Sequence, residues 1–286
     1  KKNYMCEKAK MEHQQNTDFL DIEKITRLIR GKVLEMAHKA DVAHLASALS
    51  CVDILAVLYW KILNIDTKNP KDPDRDRFIL SKGHAAMALY ATLAYKGFFP
   101  EEMLETFGKD GTYFAEHPDP GIKGVETTTG SLGHGFPVGI GMALAGRIQG
   151  KYYRVYVLMS DGECNEGSVW EAAMFAPAHK LENVAAIIDF NKWQATGRST
   201  EILALEPLAS KWASFGWSIY EVDGHNLKKL FEVLNNIPDG SGKPVAIIAH
   251  TVKGKGVSFM EDDNNWHYKV PNKDELNKAK KELGLQ

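Results

Sequence analysis

The chain reads as an α/β protein: a parallel sheet with helices on both faces. Three observations predict this. Short apolar runs, Val155 to Met159 and Val184 to Ile188 among them, alternate with stretches of helical spacing, the pattern of strands buried on both sides and joined by crossover helices. Two of these runs stop abruptly on polar residues, at Ser160-Asp161-Gly162 and at Asp189-Phe190-Asn191-Lys192. The chain has 286 residues, 44% of them hydrophobic and 25% charged, enough for a sizeable core.

The elements follow in order. Residues 1–17 are polar and read as a disordered tail ahead of one domain spanning 18–286. Asp18 or Asp21 caps a helix in which Ile22, Ile25, Leu28, Ile29, Val33, Leu34 and Ala37 recur at helical spacing. Residues 39–50 are small and read as a loop. A helix over 51–61 places Ile54, Leu55, Leu58 and Tyr59 on its core face, and the charged stretch 66–77, with Pro70 and Pro73, reads as a surface loop. Residues 77–81 form a short strand, Lys82-Gly83-His84-Ala85 turns it into a helix over 86–96, and a short helix spans 100–107. Residues 108–135 form a long irregular stretch, and a loop of that length in a compact domain is usually functional. A Gly- and Ala-rich helix over 136–149 leads to the strand 155–159. Then come a helix (168–179), a strand (184–188), a polar loop (193–200), a helix (207–215), a strand (217–222), a helix (227–235), a strand (244–250) and a final helix (274–283).

Composition excludes several classes. A formal charge of −2 suits neither nucleic acid nor a membrane surface. No apolar run approaches the roughly 20 residues of a membrane span. Cys6, Cys51 and Cys164 are scattered, which argues for a reducing, cytoplasmic setting and against a disulfide framework or a zinc site. Neither the Gly-x-Gly of residues 139–141 nor Gly254 follows a strand in a dinucleotide-binding pattern.

The chemistry concentrates where two strands end. Asp161 and Asn191, thirty residues apart, each follow an apolar run, and ligands of open parallel sheets bind outside the carboxyl ends of the strands. One carboxylate and one carboxamide oxygen are hard ligands. With a backbone carbonyl and diphosphate oxygens they complete an octahedral shell that suits Mg²⁺ better than zinc. Gly162 lets the backbone approach phosphates closely.

Strand, Asp-Gly-Glu, helix, strand and Asn-Lys at this spacing resembles the thiamine-diphosphate-binding motif, with Ser160 where the leading Gly usually stands. Further segments arrive in the order of one family. They are Ala43-His44-Leu45 (where Gly-His is usual), the run from Arg75 to Ala85, His117-Pro118, Thr129-Gly130-Ser131-Leu132-Gly133-His134-Gly135, Lys253-Gly254-Lys255-Gly256 and Trp266-His267. Together they resemble transketolase, specifically its N-terminal, diphosphate-binding domain.

The resemblance implies roles. Asp161, Asn191 and the backbone carbonyl of Trp193 would hold Mg²⁺, for which Ca²⁺ or Mn²⁺ would substitute. Gly162, His84, Glu163, Lys253 and His267 would bind thiamine diphosphate at its diphosphate half, and Gly130, Ser131 and Leu132 would lie along its aminopyrimidine. His44, His117 and His267 would be catalytic, since cleavage next to a sugar carbonyl needs proton acceptors that work near neutral pH. His38, His179 and His225 read as packing or surface residues. The family's next domain carries the glutamate that activates the aminopyrimidine, and no carboxylate here matches it. The resemblance therefore implies half an active site: the N-terminal subunit of a split transketolase, completed by a C-terminal subunit with the pyrimidine-binding domain in a heterotetramer of two plus two. Its substrates would be sugars or sugar phosphates. The α subunit of a thiamine-dependent 2-oxoacid decarboxylase or dehydrogenase, a non-catalytic protein on the same fold, and a shortened form of a longer transketolase are the alternatives.

Overall fold

The structure, a computed structural model, describes residues 17–285. The expected disordered tail lies almost wholly outside the described residues, as does Cys6.

Helix α1 (Phe19–Ala40) starts where the side chain of Asp18 accepts a hydrogen bond from Leu20 N, satisfying one of the free donors of the first turn. Two short helices follow, α2 (Leu45–Ser50) and α3 (Val52–Val57), and then a wider π turn, Leu58–Ile62. This corrects two expectations: residues 39–50 are not all loop, and the 51–61 helix is interrupted. All six residues of α2 are buried, so it lacks the polar face on which helical periodicity depends. Strand β1 (Arg77–Leu80) leads through a tight turn into α4 (Ala86–Lys96), and the expected helix at 100–107 is a 3₁₀ segment, Glu101–Thr106. Beyond the irregular stretch come α5 (Gly135–Ile148), β2 (Val155–Ser160), α6 (Gly167–Ala178) and β3 (Val184–Phe190). A helical turn, α7 (Ser199–Ile202), then interrupts the expected polar loop. It is followed by α8 (Leu208–Ser214), β4 (Ser218–Asp223), α9 (Leu227–Asn235), β5 (Val245–His250) and α10 (Lys273–Glu282).

The five strands form one sheet in the order β1-β2-β3-β5-β4, and every pairing is parallel. Alternation along the strands divides the core in two. Tyr156, Leu158, Ala185 and Ile187 pack with the helices on one face, while Val155, Val157, Met159, Val184, Ala186 and Ile188 pack on the other. Each fully buried Val, Leu, Ile or Met side chain contributes about 1.5–3 kcal/mol. A one-residue slip would exchange the two sets of side chains between faces shaped for different partners. The register is thereby held, and with it the height at which β2 and β3 deliver their terminal residues.

Candidate active site

Strand β2 ends at Ser160 and β3 at Phe190, and the two are neighbours. Asp161 and Asn191 therefore emerge side by side. Asp161 is fully enclosed. Its Oδ1 accepts from Gly162 N at 2.9 Å, and its Oδ2 accepts from Lys192 N at 2.9 Å and from Ser199 Oγ at 2.8 Å. These bonds do not offset the loss of water: burial pushes the carboxyl up to about 6. Asn191 Oδ1 accepts from Trp193 N at 3.1 Å. Lys192, the residue after Asn191, takes a left-handed φ of 69°, and its N–H donates to Asp161.

A cavity of about 320 Å³ opens over these strand ends. Nine of the expected site residues line it: His44, His84, His117, Gly130, Leu132, Gly162, Asn191, Trp193 and His267. Four do not. Asp161 and Lys253 lie beneath the wall, fully enclosed, and Ser131 is exposed on the loop beside it. Glu163 is also fully enclosed, and its carboxylate accepts from Ser81 Oγ, from Gly133 N at 2.9 Å and from Ser160 N at 3.3 Å. It therefore ties the phosphate-side loop to the Gly130–Gly135 loop. Burial raises Glu163 to about 7.

Three imidazoles meet on one wall. The ring of His44 lies 5.0 Å from that of His267 and 5.4 Å from that of His84. His44 sits just before α2 at φ 70°, a sparsely populated conformation held in part by its N–H donating to His267 O at 2.7 Å. Lys253 Nζ lies 2.9 Å from His267 Nδ1 and 2.6 Å from Asn264 Oδ1. A lysine ammonium only donates, so Nδ1 accepts and the ring proton stays on Nε2. Burial, then the charge of Lys253, holds His267 down at about 3. Burial and nearby positive charge, Lys82 first, take His84 well below the usual imidazole range, and burial also lowers His44. Rings held this far down stay neutral at physiological pH and serve as hydrogen-bond partners, which corrects the expectation that His267 accepts protons near neutral pH.

Several residues at the site escaped the sequence reading. Gln194 stands against Gly162, where a Cβ would meet its Cγ at 3.0 Å, and its buried Nε2 has no hydrogen-bond partner among the described residues. Tyr268 lines the cavity mouth and is 63% exposed. Beneath Asn191, Lys82 and Asp189 form a fully enclosed ion pair, to which Ser50 Oγ adds a hydrogen bond at 2.6 Å and Thr251 Oγ1 another. One signal for that pair was legible: a carboxylate, Asp189, inside an otherwise apolar run. His225, read as a packing or surface residue, is instead hydrogen-bonded to Asp53 and to Val252 N.

The residues fit a cation held jointly with a diphosphate. Among the described residues no group of three or more His, Cys, Asp or Glu side chains could hold a metal by itself. Asp161 and Asn191 offer two side-chain oxygens, too few for an octahedral ion without phosphate oxygens and a carbonyl. The buried Asp161 carboxyl is short of positive charge, and Gln194 Nε2 has a hydrogen to donate.

Comparison with known proteins agrees with this geometry. Residues 22–286 match the family described as transketolase, thiamine diphosphate binding domain. An apulose-4-phosphate transketolase subunit from Phocaeicola vulgatus is 41% identical over 254 residues, covering 89% of this chain and 90% of that protein. The 6-deoxy-6-sulfo-D-fructose transketolase subunit SqwG of Clostridium sp. is 43% identical over 243 residues, covering 85% and 88%. The crystal structure of transketolase from Campylobacter jejuni superposes with a TM-score of 0.89 at 28% identity; it takes in 94% of this chain but only 44% of that one. No described helix is long and apolar enough to cross a membrane.

Proposed function

This chain belongs to the transketolase family, in its thiamine diphosphate binding domain, and from that premise we propose that it is the diphosphate-binding subunit of a two-chain transketolase. The enzyme transfers a two-carbon ketol unit from a ketose donor to an aldehyde acceptor. One observation carries the reading. Asp161, Gly162 and Asn191 stand at the ends of two adjacent parallel strands, beneath a cavity walled by four histidines.

Asp161, Asn191 and the carbonyl of Trp193 would hold Mg²⁺, for which Ca²⁺ or Mn²⁺ would substitute, and the cation would neutralise diphosphate charge. Thiamine diphosphate, when bound, supplies the electron sink for carbon–carbon cleavage. The chain's own residues do the rest. Gly162 leaves room for phosphate oxygens, and the unpartnered Gln194 Nε2 would donate to them. His267 presents its Nε2 proton to the cavity because Lys253 occupies Nδ1. His44 and His117 accept and return protons at the donor sugar's hydroxyls.

Two relatives named as subunits match this chain over most of their own length, whereas it spans less than half of the Campylobacter transketolase. That contrast supports a single domain over residues 18–286 working with a second, pyrimidine-binding chain, which the family resemblance would place in a two-plus-two assembly. The two subunit relatives are about equally similar, and their names give one a phosphorylated and the other a sulfonated sugar. Likeness alone therefore does not choose the substrate. The free, buried Cys51 and Cys164 support a cytoplasmic setting.

The test is calorimetry of thiamine diphosphate binding in Mg²⁺. Asp161→Ala removes the carboxylate that holds the cation against the diphosphate and is expected to abolish metal-dependent binding. Unchanged binding in that variant would overturn the site.

A further inference from the structure

Lys253 lies in the turn after β5, beyond the last paired residue of the sheet, His250. Backbone hydrogen bonds hold this turn, among them Gly254 N to Ala46 O at 2.9 Å and Asp262 N to Lys253 O at 2.9 Å, and two further bonds come from the side chains of His225 and Arg30. Val252 N donates to His225 Nε2 at 2.8 Å, and Lys255 O accepts from Arg30 Nε at 3.0 Å. Both side-chain bonds lead to the same carboxylate. Arg30 forks onto Asp53, with Nη1 3.1 Å from Oδ1 and Nη2 2.7 Å from Oδ2, and His225 Nδ1 is 2.7 Å from Asp53 Oδ2. A backbone N–H can only donate, so His225 Nε2 accepts, the ring is neutral, and its proton sits on Nδ1 for Asp53. Arg30 and Asp53 are 5% and 6% exposed. Gly256 closes the turn at φ 98° against the Arg30 side chain, where a Cβ would lie 2.8 Å from Cδ.

We propose that His225, Asp53 and Arg30 are positioning residues that hold the Val252–Lys255 turn in place, so that Lys253 meets His267 and fixes the proton of that imidazole on the cavity side. The three come from α1, α3 and the turn after β4, and none lines the cavity. They act on the site through Lys253. The orientation is specific: a histidine in the other tautomer would present an N–H to the Val252 N–H, and the turn would lose one of its anchors.

The test uses the full chain and variants at His225, which is only partly buried. Asp53→Asn is unsuitable because it would strip Arg30 of its buried counter-ion and endanger the fold. Nitrogen NMR of the chain should find His225 protonated at Nδ1 and His267 at Nε2. In His225→Ala, hydrogen exchange across residues 252–256 should quicken about tenfold, the loss of one buried hydrogen bond, while amides of β2 and β3 keep their rates. The His267 nitrogen shifts should move, and Mg²⁺-dependent thiamine diphosphate affinity should fall by a similar factor. His225→Gln, whose amide accepts at one atom and donates at the other, should recover most of these losses. Unaltered His267 shifts in His225→Ala, or exchange that quickens uniformly across the sheet, would overturn the proposal. Only the affinity measurement rests on the cofactor reading. If the unmodified chain does not bind thiamine diphosphate, that reading fails, and the tautomers and exchange rates still decide this one.

Discussion

Gly130 lies against the ring of His117, so close that a Cβ at position 130 would sit 2.7 Å from His117 Cδ2. Tyr90 Oη donates to the backbone carbonyl of His117 at 2.8 Å. A glycine at φ 150° and a buried tyrosine thus fix a histidine in a loop with no regular structure.

His117→Ala is expected to keep cofactor binding and to lose turnover in the assembled enzyme by about 10²–10⁴, the usual contribution of a placed acid–base group. Gly130→Ala should reproduce much of that loss by displacing the same ring. Calorimetry and steady-state kinetics at saturating cofactor separate the two effects. A His117→Ala enzyme that loses the cofactor but keeps its rate would show the role to be misassigned.

Among the described residues no carboxylate lines the cavity, yet thiamine catalysis needs one to hold the aminopyrimidine in its reactive tautomer. The chain alone, supplied with Mg²⁺, thiamine diphosphate and a panel of ketose donors, should show no ketol transfer. Activity should appear when a chain carrying the pyrimidine-binding domain is added. Transfer by the single chain at about 1 per second or faster would refute the two-chain reading.

Burial opposes the charge on Lys82, but Asp189 outweighs it and keeps the ammonium charged; Asp189 is in turn held below the usual carboxylate range. Lys82→Met leaves that carboxylate buried without a counter-ion and should cost about 3–5 kcal/mol of stability. The double variant Lys82→Met, Asp189→Leu should recover much of it. Urea denaturation is the measurement, and a cost under about 1 kcal/mol for the single variant would contradict the burial of an ionised pair.

Lys96 Nζ lies 5.3 Å from the centre of the Trp60 ring, and burial lowers its ammonium to about 8. The folded value is below the unfolded value of about 10.4, so the folded state carries a penalty for charge. That penalty is full below pH 8 and fades as pH rises to about 10.4, where the unfolded chain also releases its proton. Lys96→Met should therefore be more stable than the parent by about 1 kcal/mol at pH 7, a figure discounted for partial exposure. The gap should close toward pH 10. A gap that does not change with pH would exclude burial of the ammonium as its cause.

What the sequence determined is what near neighbours along the chain encode. The apolar runs at 155–159 and 184–188 marked strands because burial on both faces demands uninterrupted apolar residues, and Asp161 and Asn191 were legible among the polar residues that end them. The histidines were legible only as segments in a family's order. Tertiary structure decided the rest. It made α2 helical although its residues show no polar face, and it turned His44 into a left-handed conformation against His267 O. It also brought His225 to Asp53, 172 residues away in the chain. Helical and strand periodicity reports which face of an element is apolar. It does not report which distant polar group will share an interior from which water has been removed, because that choice is made only when the packed elements leave each buried donor and acceptor few partners within reach.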